Sequence, residues 1–148
     1  VKEKVIDVIG SDHAPHTLDE KKKKYPYSPS GMTGVQTILP IMLDFVNKQK
    51  LGIKDLVRLL CSNPAKIYNM KFKGEIKIGN DADFSIVDLK KEFRISNNWI
   101  ASKSGWTPYD GIKIVGLPIF TIINGVVVME NSEITSKPVG QPVLFNYD

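Results

Sequence analysis

Ser11-Asp12-His13-Ala14-Pro15-His16 places one carboxylate and two imidazoles within a single hexapeptide. An aspartate can bind a hard or borderline metal through oxygen. It can also take the proton of a metal-bound water, whose pKa the metal lowers towards neutrality. An imidazole four residues further on, behind a proline, can aim a ring N–H at an anionic group of a substrate. On paper His13 could do either job. The same residues admit a plainer reading, since Asp-His beside a turn also serves as a capped loop and single histidines pack as ordinary side chains.

The elements around the hexapeptide bear on that choice. Val5-Ile6-Asp7-Val8-Ile9-Gly10 is an apolar run that reads as a buried strand ending in a turn. In an α/β barrel such a strand end delivers its residues to the mouth of the active site. A polar loop from His16 to Gly34 follows, with Tyr25-Pro26-Tyr27-Ser28-Pro29-Ser30-Gly31 in its second half. A loop of that length within a domain is usually functional or disordered, and its start at the hexapeptide favours function.

Helical periodicity follows over Val35 to Asn47, with Pro40 in the early turns, where its missing N–H costs little, a kink there being the alternative. A second helix is predicted from Ile53 to Cys61. A short third one restarts at Ser62-Asn63-Pro64, with Asn63 as cap and Pro64 as first helical residue. From Lys71 the period changes to that of strands. Gly74–Gly79 and Ala82–Val87 read as short strands about Asn80-Asp81, and Asn124-Gly125 between two apolar runs is a strong hairpin signal. The segment Asn97 to Gly116 reads as irregular, and the tail from Pro138 as extended. A lone parallel-type strand with its helices needs neighbours on both edges, so the composition of elements by itself suggests part of a larger fold.

The chain has 148 residues, is 42% hydrophobic and carries a net charge of +4. The one dense basic run, Lys21 to Lys24, follows Asp19 and Glu20 and is interleaved with no aromatics, which argues for a solvated loop and against nucleic acid. No apolar run is long enough to span a bilayer, so no membrane partner is expected. The single cysteine, Cys61, lies in an apolar helical pattern. It reads as a buried reduced thiol and fits a cytoplasmic setting.

Gly10-Ser11-Asp12-His13-Ala14-Pro15-His16 with Lys21 resembles the second signature of dihydroorotases in the amidohydrolase superfamily. That signature is a small residue, Ser or Thr, Asp, any residue, Ala-Pro-His, four residues and Lys, and every position matches. The resemblance continues through Ser30–Thr37, Ser62-Asn63-Pro64-Ala65, Gly74–Asp83, Trp106–Gly111 and the final hairpin, and so spans nearly the whole chain. Hydantoinases, dihydropyrimidinases and allantoinases share the architecture. They typically carry Ser or Cys where Ala14 stands and lack a partner like His16.

The resemblance implies reversible hydrolysis of dihydroorotate to N-carbamoyl-aspartate in pyrimidine synthesis, usually with zinc. In that scheme Asp12 is both metal ligand and catalytic proton shuttle. His16 binds the substrate carboxylate, backbone groups of Ser30 and Gly31 hold the ring, and Lys21 belongs to the loop's surface. The implied fold is α/β. Residues 1–70 would form the last strand, active-site loop and helices of a (β/α)8 barrel, and residues 71–148 a flanking β-sandwich unit.

The chain departs from the family pattern in lacking the His-x-His pair and the other ligands expected of a complete site. With only two histidines, it reads as a fragment from the eighth barrel strand onward. One carboxylate does not hold a catalytic zinc, which takes about three protein ligands. The expectation is therefore a chain that retains no zinc and is inactive by itself, completed by an N-terminal barrel chain or self-associating through an exposed apolar face. The alternatives are a non-catalytic binding or scaffold remnant, or a hydantoinase- or allantoinase-type hydrolase.

Overall fold

A computed structural model describes Glu3 and residues 5–146. The helical part consists of α1 (Leu18–Lys21), α2 (Ile38–Asn47), α3 (Ile53–Val57), a π-helical turn (Arg58–Ser62) and α4 (Asn63–Ile67). The β part consists of β1 (Phe84–Arg94), a 3₁₀ turn (Asn97–Trp99), β2 (Lys113–Ile123), β3 (Val126–Glu130) and β4 (Glu133–Ile134). The four strands form one antiparallel sheet in the order β1-β2-β3-β4.

Several expectations require correction. Residues 5–10 form no strand, and Val5 is 76% exposed. Among the described residues no strand lies beside this segment, so its apolar side chains have nothing to pack against. Its ties are few: the Ile9 amide donates to the Leu59 carbonyl, and Asn63 Nδ2 donates to the Asp7 carbonyl. That second bond takes Asn63 away from the capping role assigned to it. Ser62 precedes α4 instead, with Pro64 in the first turn as expected.

The first long helix starts at Ile38 rather than Val35, because residues 35–37 form a turn that leaves Val35 exposed. Pro40 lies in its first turn and is buried. The helix predicted from Ile53 is split by the π turn, which carries Cys61 to an exposed position rather than a buried one. Residues 74–79 form no strand. Ile78 is wholly exposed, and the segment folds back through bonds from the Asn80 amide to the Lys77 carbonyl and from the Asp81 amide to the Phe72 carbonyl.

The hairpin forms as its sequence dictates, with Asn124 at φ 50° and Gly125 at φ 77° between β2 and β3. β1 is longer than expected, and β2 begins at Lys113, inside the segment read as irregular. Pro118 would break a regular ladder, yet it pairs with Val87 where the register shifts, a place that tolerates a missing donor. The described residues form a single sheet, and no second layer of the expected sandwich lies among them.

Leu43, Leu51, Leu56 and Leu59 form the buried core, with Ile9 and Val87 packed against it, so helical and β parts share one apolar centre. Two polar side chains of α2 fasten it to β2. The carboxylate of Asp44, only 4% exposed, accepts from the Val115 amide (3.1 Å) and from Lys48 Nζ (2.5 Å). One turn on, Asn47 Nδ2 donates to the Val115 carbonyl (2.8 Å), so both backbone groups of one strand residue are satisfied by one helix. Asp44→Ala should lower unfolding free energy by about 1–3 kcal/mol, since it strips a charged acceptor from a part-buried amide. Urea titration of both chains measures this, and Asp44→Asn should lose less.

A second fastening ties the 71–82 segment to the hairpin. Lys73 Nζ bonds Asp81 (2.9 Å) and Asp83, and Asp83 also accepts from the Asn124 amide (2.8 Å). Burial works to raise the Asp83 pKa. It is outweighed by the Lys73 hydrogen bond, the Asn124 amide and the Lys73 charge, so the carboxyl titrates below its ordinary value of 3.8. The same contacts, led by the Asp83 bond, raise Lys73 above 10.5. The cluster therefore stabilises the fold between those values. Its contribution falls away as acid drops below 3.8 through the lowered Asp83 value, or as base rises above 10.5 through the raised Lys73 value. Thermal melts should show Asp83→Asn less stable than the parent at pH 7, with the gap closing at pH 2–3.

Candidate active site

The hexapeptide stands at the root of a closed loop. His13 pairs with Met32 in an isolated parallel bridge, and the Ala14 amide donates to the Met32 carbonyl (3.1 Å). The return arm can come this close because it carries glycines. A Cβ on Gly34 would stand 2.4 Å from the Ser11 carbonyl oxygen, and one on Gly31 (φ 106°) would stand 2.7 Å from both the Cβ and the carbonyl oxygen of Ala14. Ala14 is small for the same reason. Gly34 then launches α2, its carbonyl accepting from the Thr37 and Ile38 amides.

Asp12 lies at φ 42°, a left-handed conformation that a non-glycine residue adopts at some cost and that concentrates at functional positions. It is exposed and has no hydrogen bond or ion pair among the described residues, which leaves both carboxylate oxygens open to a ligand. His13 is exposed too, but its ring is engaged. Its Nδ1 accepts from the Val35 amide (3.3 Å), which places the neutral ring's proton on Nε2 and gives His13 a part in closing the loop.

His16 is half-buried. Its carbonyl accepts from the indole of Trp106 (2.7 Å), and its Nδ1 lies 3.9 Å from Glu20 Oε2. Glu20 belongs to a capping box at α1, in which its carboxylate accepts from the Thr17 amide and hydroxyl while its own amide donates to Thr17 Oγ1. The Thr17 amide bond, the Thr17 hydroxyl and, more weakly, the charges of His16 and Lys23 lower the Glu20 pKa against a small opposing effect of burial.

Sequence reasoning missed most of what holds this loop. The resemblance implies a surface place for Lys21, but the residue is part-buried and donates to the Pro29 and Gly31 carbonyls. Trp106 reaches across from the β part to His16, and its carbonyl accepts from Thr33 Oγ1 (2.6 Å). Gln36 brackets the same region, donating to the Trp99 carbonyl (2.9 Å) and accepting from the Ala101 amide (2.8 Å). A tryptophan set in a Gly/Ser-rich stretch was the available signal, because such a ring in a polar loop needs a surface to dock on.

The structure thus brings Gly31 against Ala14 and ties His16 to the same loop, while Asp12 stands free at its rim. A neighbouring groove of about 550 Å³ is lined by His13, Thr33, Gln36, Leu117 and others, with Asp12, His16, Ser30 and Gly31 outside its wall. The candidate site is therefore an open rim and not that groove. Among the described residues no group of three or more His, Cys, Asp or Glu is placed to hold a metal ion. At this rim Asp12 offers a single carboxylate, which fits one ligand of a metal centre and not a closed centre.

An Asp held in a left-handed turn, with a small-residue loop folded back on it, is the arrangement in which the comparison with known proteins falls. A model of the amidohydrolase family matches residues 1–128, and the chain belongs to that family. It is 45% identical over 139 residues to the dihydroorotase of Pyrococcus furiosus, covering 94% of this chain and 32% of that protein. It is 37% identical over 129 residues to the dihydroorotase of Methanothermobacter thermautotrophicus, covering 87% and 30%. Among solved structures it is similar to the L-hydantoinase (dihydropyrimidinase) of Arthrobacter aurescens, with a TM-score of 0.85 and 34% identity over 91% of this chain and 31% of that one. The chain spans about a third of the length of the relatives it matches.

The close approach of the return arm gives a direct test. Gly34→Ala must displace the Ser11 carbonyl or the 34–35 backbone, and should cost about 1–3 kcal/mol of stability. Urea unfolding measures the cost. Loss of the His13–Val35 bond should appear as faster exchange of the Val35 amide.

Proposed function

We propose that this chain contributes one wall of a dihydroorotase-type site, at which the ring amide of dihydroorotate is hydrolysed reversibly to N-carbamoyl-aspartate. The observation that carries this reading is the 45% identity to a dihydroorotase over 94% of the chain. The open carboxylate of Asp12 at the loop rim supports it.

In this reading water adds to the ring carbonyl carbon, the C–N bond breaks, and the departing nitrogen needs a proton. Asp12 accepts the proton from the attacking water and returns it to that nitrogen. His16 binds the substrate carboxylate, and backbone groups of Ser30 and Gly31 hold the ring. Asp12 would also be one ligand of a zinc ion whose remaining ligands come from outside this chain. Such an ion, when bound, makes water a nucleophile near neutral pH. Residues 1–70 would complete a barrel and residues 71–148 a flanking β-sandwich, in a cytoplasmic protein. The exposure of Val5, Ile6 and Val8 supports a neighbour along that segment, either a complementing barrel chain or a second copy.

The fold similarity to L-hydantoinase also fits a second reading, hydrolysis of a related cyclic amide without the carboxylate that His16 would bind. Both readings can be tested by co-expressing this chain with the remaining two thirds of the Pyrococcus furiosus relative, supplying zinc and following N-carbamoyl-aspartate formed from dihydroorotate and N-carbamoylglycine formed from hydantoin. Turnover of dihydroorotate is expected, falling by about 10²–10⁴ in Asp12→Asn. Turnover of hydantoin alone would establish the second reading. Binding of dihydroorotate with no turnover of either compound would make the chain a non-catalytic binding remnant.

A further inference from the structure

Lys21 is the one member of the basic run whose ammonium faces the loop rather than solvent. Its Nζ donates to the Pro29 carbonyl (2.6 Å) and the Gly31 carbonyl (3.1 Å), and lies 5.6 Å from the centre of the Trp106 ring. Its own carbonyl accepts from Ser28 Oγ (3.0 Å), so the Ser28–Gly31 stretch is gripped at both ends by one residue. The Trp106 indole continues the chain of contacts to the His16 carbonyl. An ammonium has three donors and no acceptor, and here two carbonyls accept from it while an aromatic face stands beside it.

We infer that Lys21 is the positioning residue of the substrate-side loop: its ammonium draws the Pro29 and Gly31 carbonyls and the Trp106 ring onto one point, and so sets Gly31 against Ala14 and His16 against Trp106. The inference rests on the reading of His16 and Gly31 as substrate-binding residues. The capping box at Thr17 and Glu20 orients α1, and α1 presents Lys21 to the loop. The Gly31 peptide receives Lys21 on its carbonyl while its α-carbon packs on Ala14, so the cation fixes which way that peptide faces.

The test compares Lys21→Met, which keeps the stem and loses the donors, with Lys21→Arg, which keeps the charge, in the whole chain carrying Trp99→Phe so that Trp106 alone emits. Amide exchange is read at Ala14 and Val35 in the loop, and at Ile95 and Gly111 between β1 and β2. In Lys21→Met, exchange at Ala14 and Val35 should rise at least about tenfold, the scale of one or two lost charge-assisted hydrogen bonds. Trp106 emission should shift to the red, Ile95 and Gly111 should stay unchanged, and Lys21→Arg should restore both signals. Unchanged exchange at Ala14 and Val35, equal acceleration at Ile95 and Gly111, or failure of Lys21→Arg to restore the signals would each overturn the inference. Should Lys21→Met not fold, Lys21→Gln replaces it under the same criteria. In the enzyme completed with the Pyrococcus furiosus segment, Lys21→Met should raise KM for dihydroorotate and leave kcat near the parent value. If that parent does not act on dihydroorotate, the functional reading fails while amide exchange still decides the role of Lys21.

Discussion

The contact of the 31–34 backbone with the 11–14 backbone is the constraint on which the rest of the structure depends. At Gly34 and Gly31 the two stretches come nearer than any Cβ would allow, Gly34 against the Ser11 carbonyl and Gly31 against the small side chain of Ala14. This approach closes the long loop and brings Gly31 beside the hexapeptide. It also sets the point from which α2 departs, because the Gly34 carbonyl accepts the first amides of that helix. A side chain at either glycine would act on the loop and the helix together.

Downstream, α2 transmits this placement to the sheet. Asp44 and Asn47 take both backbone groups of Val115, and Leu43 on the same helix enters the core. The sheet sends back the loop that bears Trp106, whose indole holds His16 and whose carbonyl holds Thr33. The candidate site is thus shaped by two parts of the chain about ninety residues apart. The polar contacts that join them engage part-buried backbone carbonyls, of His16 and Trp106. Asp12 alone stands outside this closure, in a left-handed conformation with its carboxylate free.

Local signals were legible where the chain's own neighbours decide the outcome. The Asn124-Gly125 hairpin needs only two residues able to take positive φ between apolar strands, and it formed in the expected place. Pro40 in a first helical turn and the α4 restart at Pro64 are equally local. The apolar runs at Val5–Ile9 and Gly74–Gly79 misled, because alternation or burial reads as a strand only if another strand lies beside it. Cys61 and Val35 are exposed for a different reason, a π turn and a 35–37 turn that interrupt the helical periodicity read from the sequence.

By itself the sequence determined the family-type motif from Gly10 to His16 with Lys21, the helical and strand halves, and the turn chemistry of the hairpin. These depend on residue type at short range, where sterics and periodicity act without a partner. Only the tertiary structure decided that Lys21 is an inward clamp rather than a surface charge, that His13 is engaged by Val35, and that Trp106 reaches His16. Each of those is a hydrogen bond or ring contact between groups distant along the chain. A donor's identity is written in the sequence, but the acceptor it meets is set by the packing that brings the two together.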